Sequence, residues 1–321
     1  MERLKENIVI AKFGKTFQFS DNHFNDLELK DEVIDLIKEE DVFSLTVLDK
    51  AYSLVENIGI TKNETSFLKT LHWIKNITIS KLNIDLNGLT YLTNLEKLLL
   101  GESTTKPVDF TFFKELKEAE LVWTKERDSI LECESLETLI LRSYKLKDLK
   151  DFNKLKNLKN LTLVSSSIEN LEGLENLVNL EVLELHFDSK LEDLTALSKC
   201  TKLKRIRLAN LPKIQNLSTL ENCKSLECII VENCKKVSDN KALFTLSNLK
   251  IFSYSNSGEF ESIKGIDNLV QLERFAISDT NIIDGNLDPL LKLKKLIFCF
   301  FKDKKHYSLK LQEVKTKLGI A

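Results

Sequence analysis

Cysteines, histidines and carboxylates are the residues of this 321-residue chain that could carry out chemistry. Cysteine catalysis needs a thiol beside a base, and the best-placed pair is Cys228 and His186. In the repeat pattern described below they lie two strands apart, about 10 Å, which is too far for a nucleophile and its base. The chain has no glycine-rich phosphate loop, no G-x-S-x-G elbow and no H-E-x-x-H. We therefore expect no enzymatic activity, no metal site and no cofactor.

The six cysteines contain no CxxC pair. Cys200 and Cys223 occupy the same position in consecutive repeats, so they are predicted to lie close together. A disulfide or thiol site there is one interpretation. The favoured one is that both are small apolar core residues, because free cysteine is commonly buried. This cysteine usage indicates a reducing compartment.

Charge and hydropathy exclude two classes of partner. Charged residues make up 30% of the chain, but the formal net charge is only −2, so no basic excess favours nucleic acid. No stretch of 18 apolar residues is present, and no apolar run near the start reaches signal-peptide length. We predict a monomeric cytoplasmic protein that binds neither nucleic acid nor membrane.

A repeat of 22 to 23 residues is the dominant feature of the sequence. In LKNLTLVSSSIENLEGLENLVN, which begins at Leu158, apolar residues stand at positions 1, 4 and 6 and then about every three residues. Alternation at positions 3 to 7 predicts a short strand with one buried face, and the three-residue spacing predicts a 3-10 turn or short helix. The triplets at positions 1, 4 and 6 begin at Ile74, Leu95, Leu116, Leu136, Leu158, Leu180, Leu203, Leu226, Leu249 and Leu272.

These triplets resemble the leucine-rich repeat family, in its short 22-residue class, and the repeat pattern is similar to that of internalins. The resemblance covers about residues 55 to 300. It implies an α/β solenoid: a leucine-rich repeat horseshoe of about 11 to 12 repeats, with a parallel concave sheet and a convex side of 3-10 and short helical segments. The family usually carries Asn after the strand, where this chain has Tyr144, Ser166 and Thr280, so some turns are predicted to be irregular.

The two ends differ from the repeats and are predicted to be caps. Residues 1–54 contain a short hairpin between Asn7 and Phe19 and a helix from Leu29 to Glu40. A first repeat strand is predicted at Val55, Ile58 and Ile60, and a last one at Leu293, Leu296 and Phe298. Residues 301–321 would close the other end, because an open end exposes core leucines and strand edges.

Strand positions 3, 5 and 7 are predicted to face outward from the sheet and to form a binding surface. The candidate partner-binding residues are charged or aromatic side chains at or just beyond these positions: Glu118, Glu120, Trp123, Arg142, Tyr144, Glu184, His186, Phe187, Arg205 and Arg207. Arginine and aromatic residues among polar groups are typical of binding hot spots. Two alternatives stay open: the charges pair across strands on a solvated sheet, and Trp123 folds back onto its own irregular repeat, 116–135.

The leading functional hypothesis is a non-catalytic scaffold that binds a protein partner on its concave face. Lys-, Asn- and Ile-rich composition is typical of low-GC bacteria, which suggests a bacterial immunity or regulatory adaptor protein. The alternative is a secreted effector or adhesin that binds a host protein. Detection in the medium of unlysed cells would favour the alternative.

Overall fold

The structure is a computed structural model that describes residues 7–11, 14–25, 28–48, 61, 63–81, 83–102, 104 and 106–320. The chain divides into two compact units, Met1–Arg142 and Ser143–Ala321, which are described separately as unit 1 and unit 2. In both units short strands alternate with 3-10 helices, as the repeat predicts.

Unit 1 combines an N-terminal cap-like region with parallel strands. Its strands are β1 (Ile8–Ala11), β2 (Gly14–Gln18), β3 (Phe24–Asn25), β4 (Glu28–Leu29), β5 (Ser44–Leu48), β6 (Asn76–Ser80), β7 (Lys97–Leu100), β8 (Glu118–Val122) and β9 (Thr138–Arg142). One α-helix, α1 (Asp31–Glu39), follows β4. The 3-10 helices are Asp21–His23, Ser66–Thr70, Asn87–Tyr91, Phe110–Phe112 and Lys125–Glu132.

The N-terminal part of unit 1 contains an antiparallel hairpin and a helix. β1 and β2 pair antiparallel, and α1 lies within the predicted helix span with Val33, Leu36 and Ile37 buried on one face. β5 was missed: it pairs in parallel with both β2 and β6. The strand predicted at Val55–Ile60 lies outside the described residues, and the domain boundary at residue 54 stays a prediction.

The last complete repeat of unit 1 is irregular, as its shortened length predicts. Its 3-10 helix, Lys125–Glu132, is eight residues long. It carries Arg127, which is fully buried and donates through Nε to the carbonyl of Lys106 at 2.8 Å. Burial lowers the pKa of Arg127 to about 10. No pattern in the sequence indicates this buried guanidinium, since most arginines lie at the surface.

Unit 2 is more regular. Its strands, parallel and in chain order, are β10 (Asn160–Val164), β11 (Val182–His186), β12 (Arg205–Ala209), β13 (Cys228–Glu232), β14 (Ile251–Ser255), β15 (Arg274–Ser278) and β16 (Phe298–Phe301). Its 3-10 helices are Lys150–Lys154, Leu174–Asn176, Thr195–Lys199, Ser218–Asn222, Lys241–Thr245, Ile266–Asn268 and Asp288–Lys292. The C-terminal helix α2 (Leu311–Leu318) buries Val314.

The strand register predicted from the triplets is confirmed from β10 to β15. Leu161 pairs with Leu183 and Leu183 with Ile206, and all three are buried. Each repeat therefore buries its leucines against its neighbours, which is how a solenoid builds a core. The predicted α/β solenoid architecture is confirmed in both units.

The register predicted for the last strand is wrong by three residues, because the buried triplet begins at Leu296 and not at Leu293. Phe298 was expected to be buried, but in β16 the buried side chains are Cys299 and Phe301, while Phe298 and Phe300 are exposed. The repeat is longer here, because Arg274 pairs with Phe298, 24 residues later. A shift by an odd number of residues moves every side chain of a strand to the opposite face.

The turn after each strand from β10 to β15 places its first residue in the left-handed backbone region. The φ angles of these residues lie between 45° and 60°: Ser165, Phe187, Asn210, Asn233, Asn256 and Asp279. The next residue turns inward, and at Asp188, Ser257 and Thr280 its side chain hydrogen-bonds to the backbone of the preceding repeat, where the family has Asn. The Ser257 hydroxyl accepts from the Cys234 N–H at 3.0 Å, and the Thr280 hydroxyl accepts from the Ser257 N–H at 3.2 Å. Ser and Thr thus take over part of the polar ladder that the family builds with Asn.

Candidate protein-binding surface

Glu184, His186 and Arg205 form the central charged cluster on the outward face of unit 2. Glu184 and His186 are alternate residues of β11, and Arg205 faces them from β12. The Glu184 carboxylate lies 3.2 Å from His186 Nε2 and accepts from Arg205 Nε at 3.2 Å. The His186 hydrogen bond, followed by that of Arg205, lowers the pKa of Glu184. The cluster therefore presents a fixed carboxylate held between an imidazole and a guanidinium.

Arg207 forms a second ion pair on the same face. Its Nη2 lies 2.6 Å from Glu232 Oε2, and its Nε donates to the same oxygen at 3.0 Å. Sequence reasoning placed Glu232 on the outward face but left it out of the candidate residues, because strand spacing alone does not indicate which charges meet. Arg207 and Glu232 are both about one-third exposed, so a partner could still reach them.

Phe187 lies beside this cluster and is the most exposed aromatic side chain there. It follows β11 directly, and 56% of its surface is exposed. Its φ of 60° is in the left-handed region, where bulky residues are rare. The N–H of Phe187 donates to the Ala209 carbonyl at 2.9 Å, so the backbone is fixed by the next repeat. Phe187 is therefore an exposed residue in a strained backbone conformation. The next three repeats have asparagine at the same turn position.

Unit 1 carries a smaller charged group on the outward face of β8 and β9. Arg142 Nη2 donates to Glu120 Oε1 at 2.7 Å, and its Nη1 lies 3.7 Å from Glu102. Glu118 lies 3.4 Å from Lys97. The cross-strand pairing left open as an alternative is therefore present here and at Glu184 and Arg207. Pairing does not remove these charges from the surface, since Arg142 remains one-third exposed.

The side chains of two candidate residues, Tyr144 and Trp123, are buried. Tyr144 is fully buried against Phe152, with ring centroids 5.4 Å apart. It occupies the inward-turning position that Ser166 has in the next repeat, so its ring fills the core. The side chain of Trp123 is buried, with 7% exposed, which agrees with the alternative in which the loop folds it back, and its backbone N–H donates to the Arg142 carbonyl at 2.8 Å. The remaining eight candidates keep accessible side chains.

Comparison with solved structures identifies the fold. An internalin (inlF) from Listeria monocytogenes matches with a TM-score of 0.63 at 19% identity, over 88% of this chain and 86% of that one. Toll from Drosophila, in a Toll–Spatzle complex, matches with a TM-score of 0.53 at 15% identity, over 87% of this chain and 45% of that one. The fold is a leucine-rich repeat solenoid. No protein-family model and no curated protein sequence matches the chain.

The leucine-rich repeat core holds all six cysteines as buried free thiols. Burial raises the pKa of every one, to about 12 for Cys133, Cys200 and Cys299 and to about 11 for Cys223 and Cys234. The Cys223 thiol donates to the Leu197 carbonyl at 3.2 Å, as a core thiol would. These thiols are the opposite of activated nucleophiles, which have depressed pKa values and solvent access.

On the outward face of the described strands, the thiol and the imidazole considered for cysteine catalysis have different partners. His186 contacts Glu184, but Cys228 interacts with Arg205 instead, whose Nη1 lies 3.6 Å from the thiol sulfur. Within the described residues no group of three or more His, Cys, Asp or Glu side chains is arranged to hold a metal. The two α-helices span nine and eight residues, and none in the described part of the chain could cross a membrane. The arrangement is suited to recognition by charge and shape.

Proposed function

We propose that this protein is a non-catalytic scaffold that binds a protein partner on the outward face of its strands. The observation that carries the proposal is Phe187, a half-exposed phenylalanine held in a left-handed backbone conformation beside the Glu184–His186–Arg205 cluster. Strained residues persist where the surrounding structure enforces them, and they concentrate at functional sites. Aromatic and arginine side chains are enriched at binding hot spots.

Eight accessible residues are proposed to contact a partner, in two groups that belong to separate units. They are Glu118, Glu120 and Arg142 in unit 1 and Glu184, His186, Phe187, Arg205 and Arg207 in unit 2. Paired charges of this kind contribute more to partner selection and association rate than to raw affinity. Phe187 supplies the apolar contact that the charged residues lack.

The narrower proposal is a cytoplasmic bacterial immunity or regulatory adaptor protein that acts as a monomer. The buried free thiols support a reducing compartment, and the charge distribution on the strand face supports a polypeptide ligand over nucleic acid. Finding the protein in the medium of intact cells would replace this role with that of a secreted effector or adhesin.

A charge-reversal experiment tests the proposal. Arg205→Glu combined with Arg207→Glu should abolish capture of a specific partner from native cytosol. The matched control, Lys190→Glu with Lys199→Glu, makes the same change in net charge at exposed positions outside the strands. Circular dichroism melting of both variants checks that the fold is retained. Equal capture by wild type and by both folded variants would place the binding surface elsewhere.

A further inference from the structure

Unit 2 ends in an apolar surface that the preceding repeats do not have. β16 exposes Phe298 by 37% and Phe300 by 44%, and Ile297, just before the strand, by 66%. Earlier repeats of the unit carry charged residues at the position of Ile297, where Lys204 pairs with Glu181 at 2.9 Å and Lys250 with Glu227 at 2.8 Å. The alternation of lysine and glutamate stops at Ile297. Three large exposed apolar side chains thus lie on β16 and immediately before it.

Arg274 faces this apolar surface from β15. Its guanidinium carbon lies 4.5 Å from the ring centroid of Phe298, a cation–π contact. Among the described residues Arg274 forms no ion pair, whereas Arg205 and Arg207 each have a glutamate. The Arg274 guanidinium therefore contacts an aromatic ring but no carboxylate among the described residues. It can form an ion pair with a carboxylate of another molecule.

The outward positions of β14 to β16 carry no acidic side chain. Following the paired register, these positions are Ile251, Ser253, Ser255, Arg274, Ala276, Ser278, Phe298 and Phe300. Lys302 continues the alternation beyond β16 and is exposed. Glu273 precedes β15 and Asp279 follows it, so neither occupies an outward strand position. We call the group of Arg274, Ile297, Phe298, Phe300 and Lys302 the C-terminal patch.

The chain around the patch is strongly basic. Residues 292–320 contain nine lysines and two carboxylates, although the whole chain carries a net charge of −2. One of those carboxylates, Asp303, accepts from the N–H of Leu311 at 2.8 Å and so caps α2. Such local asymmetry creates a positive potential that attracts acidic partners.

We propose that the C-terminal patch binds an acidic polypeptide segment that also carries aromatic or aliphatic side chains. The apolar side chains of the segment would cover Ile297, Phe298 and Phe300, while its carboxylates would pair with Arg274 and Lys302. Single-stranded nucleic acid fits less well. It needs a track of cations along its phosphates, and the outward face offers only Arg274 and Lys302 around three apolar groups. The patch is separate in sequence from the Phe187 surface and does not depend on the function proposed for it.

Selection from a phage-displayed library of random 12-residue peptides tests this surface against ligands of every composition. Four forms of the full chain are used: wild type, Phe298→Ser/Phe300→Ser, Arg274→Gln/Lys302→Gln and, as a control, Val178→Ser. Val178 is 57% exposed and lies outside the strands. Thermal melts establish that each form is folded. If the phenylalanine variant unfolds, the Arg274→Gln/Lys302→Gln form still tests whether the patch binds the peptides.

Wild type and Val178→Ser should enrich peptides rich in Asp or Glu together with Phe, Leu or Ile. Enrichment should fall at least tenfold with either patch variant, and it should weaken as salt is raised. The proposal is overturned if no peptide is enriched, if the enriched peptides are not acidic, or if the folded patch variants enrich them equally. Patch-dependent binding of a poly-dT oligonucleotide or of phosphatidylserine vesicles in place of acidic peptides would overturn it too. So would patch-dependent dimerisation of the chain in sedimentation.

Discussion

Phe187 and Asn210 occupy the same turn position in consecutive repeats, with φ angles of 60° and 58°. Asparagine suits this left-handed conformation because its short polar side chain can form local hydrogen bonds. Here it also extends a ladder: Asn233 Nδ2 donates to Asn210 Oδ1 at 3.0 Å, and Asn256 Nδ2 donates to Asn233 Oδ1 at 2.6 Å. Phenylalanine has neither property. Phenylalanine at this position therefore lowers the stability of the fold and places an aromatic ring at the surface.

The first prediction concerns the backbone strain at Phe187. Phe187→Asn should raise the free energy of unfolding by about 1 kcal/mol, because it removes strain worth roughly 1–2 kcal/mol at a left-handed residue. The same substitution should weaken partner binding. Val178→Asn is the matched control, since Val178 is equally exposed but its backbone is not left-handed. Urea unfolding of the three proteins checks the stability, and a Phe187→Asn protein less stable than wild type would refute the strain.

The second prediction concerns the repeat core. Leu161→Ala or Leu183→Ala should lower the free energy of unfolding by roughly 2–5 kcal/mol, because each leaves a cavity between neighbouring repeats. Both side chains are fully buried and paired in register. Val182→Ala, at the adjacent outward position, should cost much less. Chemical denaturation distinguishes them, and similar costs at Leu183 and Val182 would contradict the observed register.

The third prediction concerns Asp188, a buried carboxyl at the inward-turning position. Its Oδ1 accepts from both the N–H and the hydroxyl of Ser166 at 2.6 Å, while Oδ2 has no hydrogen-bond partner among the described residues. Burial raises the pKa of Asp188 above its usual value, against the opposing effect of the Ser166 hydrogen bonds and the nearby His186. A raised folded-state pKa means that the folded state favours the protonated form. Stability is therefore lost as pH rises from about 4 through the folded-state pKa.

Asp188→Asn keeps the Oδ1 acceptor and removes the buried charge. It should stabilise the protein at pH 7, and the gain should shrink as pH falls, because protonation neutralises the wild-type Asp188 carboxylate. Asp188→Ala serves as a control and should cost about 1–3 kcal/mol, since it leaves the Ser166 N–H unpaired. Melting temperatures of the three proteins between pH 4 and 8 provide the measurement. A gain that does not vary with pH would rule out ionisation as its cause.

The fourth prediction concerns the thiols. All six are buried and their pKa values are raised, so at pH 8 none should react quickly with 5,5′-dithiobis(2-nitrobenzoic acid) in the native protein. Denaturation in guanidinium chloride should release all six. A rapidly reacting thiol in the native state would mean that the core opens near that cysteine.

Much of the fold was predictable because the repeat is strongly periodic. From Ile74 to Ile277 positions 4 and 6 of every strand are apolar and at least one outward position is polar, so only one register buries the leucines. In β16 the sequence FCFF is apolar at every position, and the hydrophobic pattern could not decide which residues face inward. β5 was missed because SLTVL lies within the predicted cap, before the apolar triplet at Val55 that fits the repeat.

The candidate surface was predicted less well than the fold. Alternation correctly placed Glu184, Arg205 and Arg207 on the outward face, because strand geometry fixes side-chain direction. Trp123 and Tyr144 lie just beyond their strands, where turn geometry decides orientation, and both turn inward. Neither the strain at Phe187 nor the pairing of Arg207 with Glu232 is encoded in a periodic pattern, so both needed the structure.

Photo-crosslinking at position 187 tests the central claim most directly. p-Benzoylphenylalanine resembles the native side chain, so it can replace Phe187 with little added strain, and the same group at Val178 is the control. Irradiation in the native cytosol should join one specific protein to position 187 and not to position 178. Identical crosslinks at both positions, or none at 187, would contradict a partner-binding surface centred on Phe187.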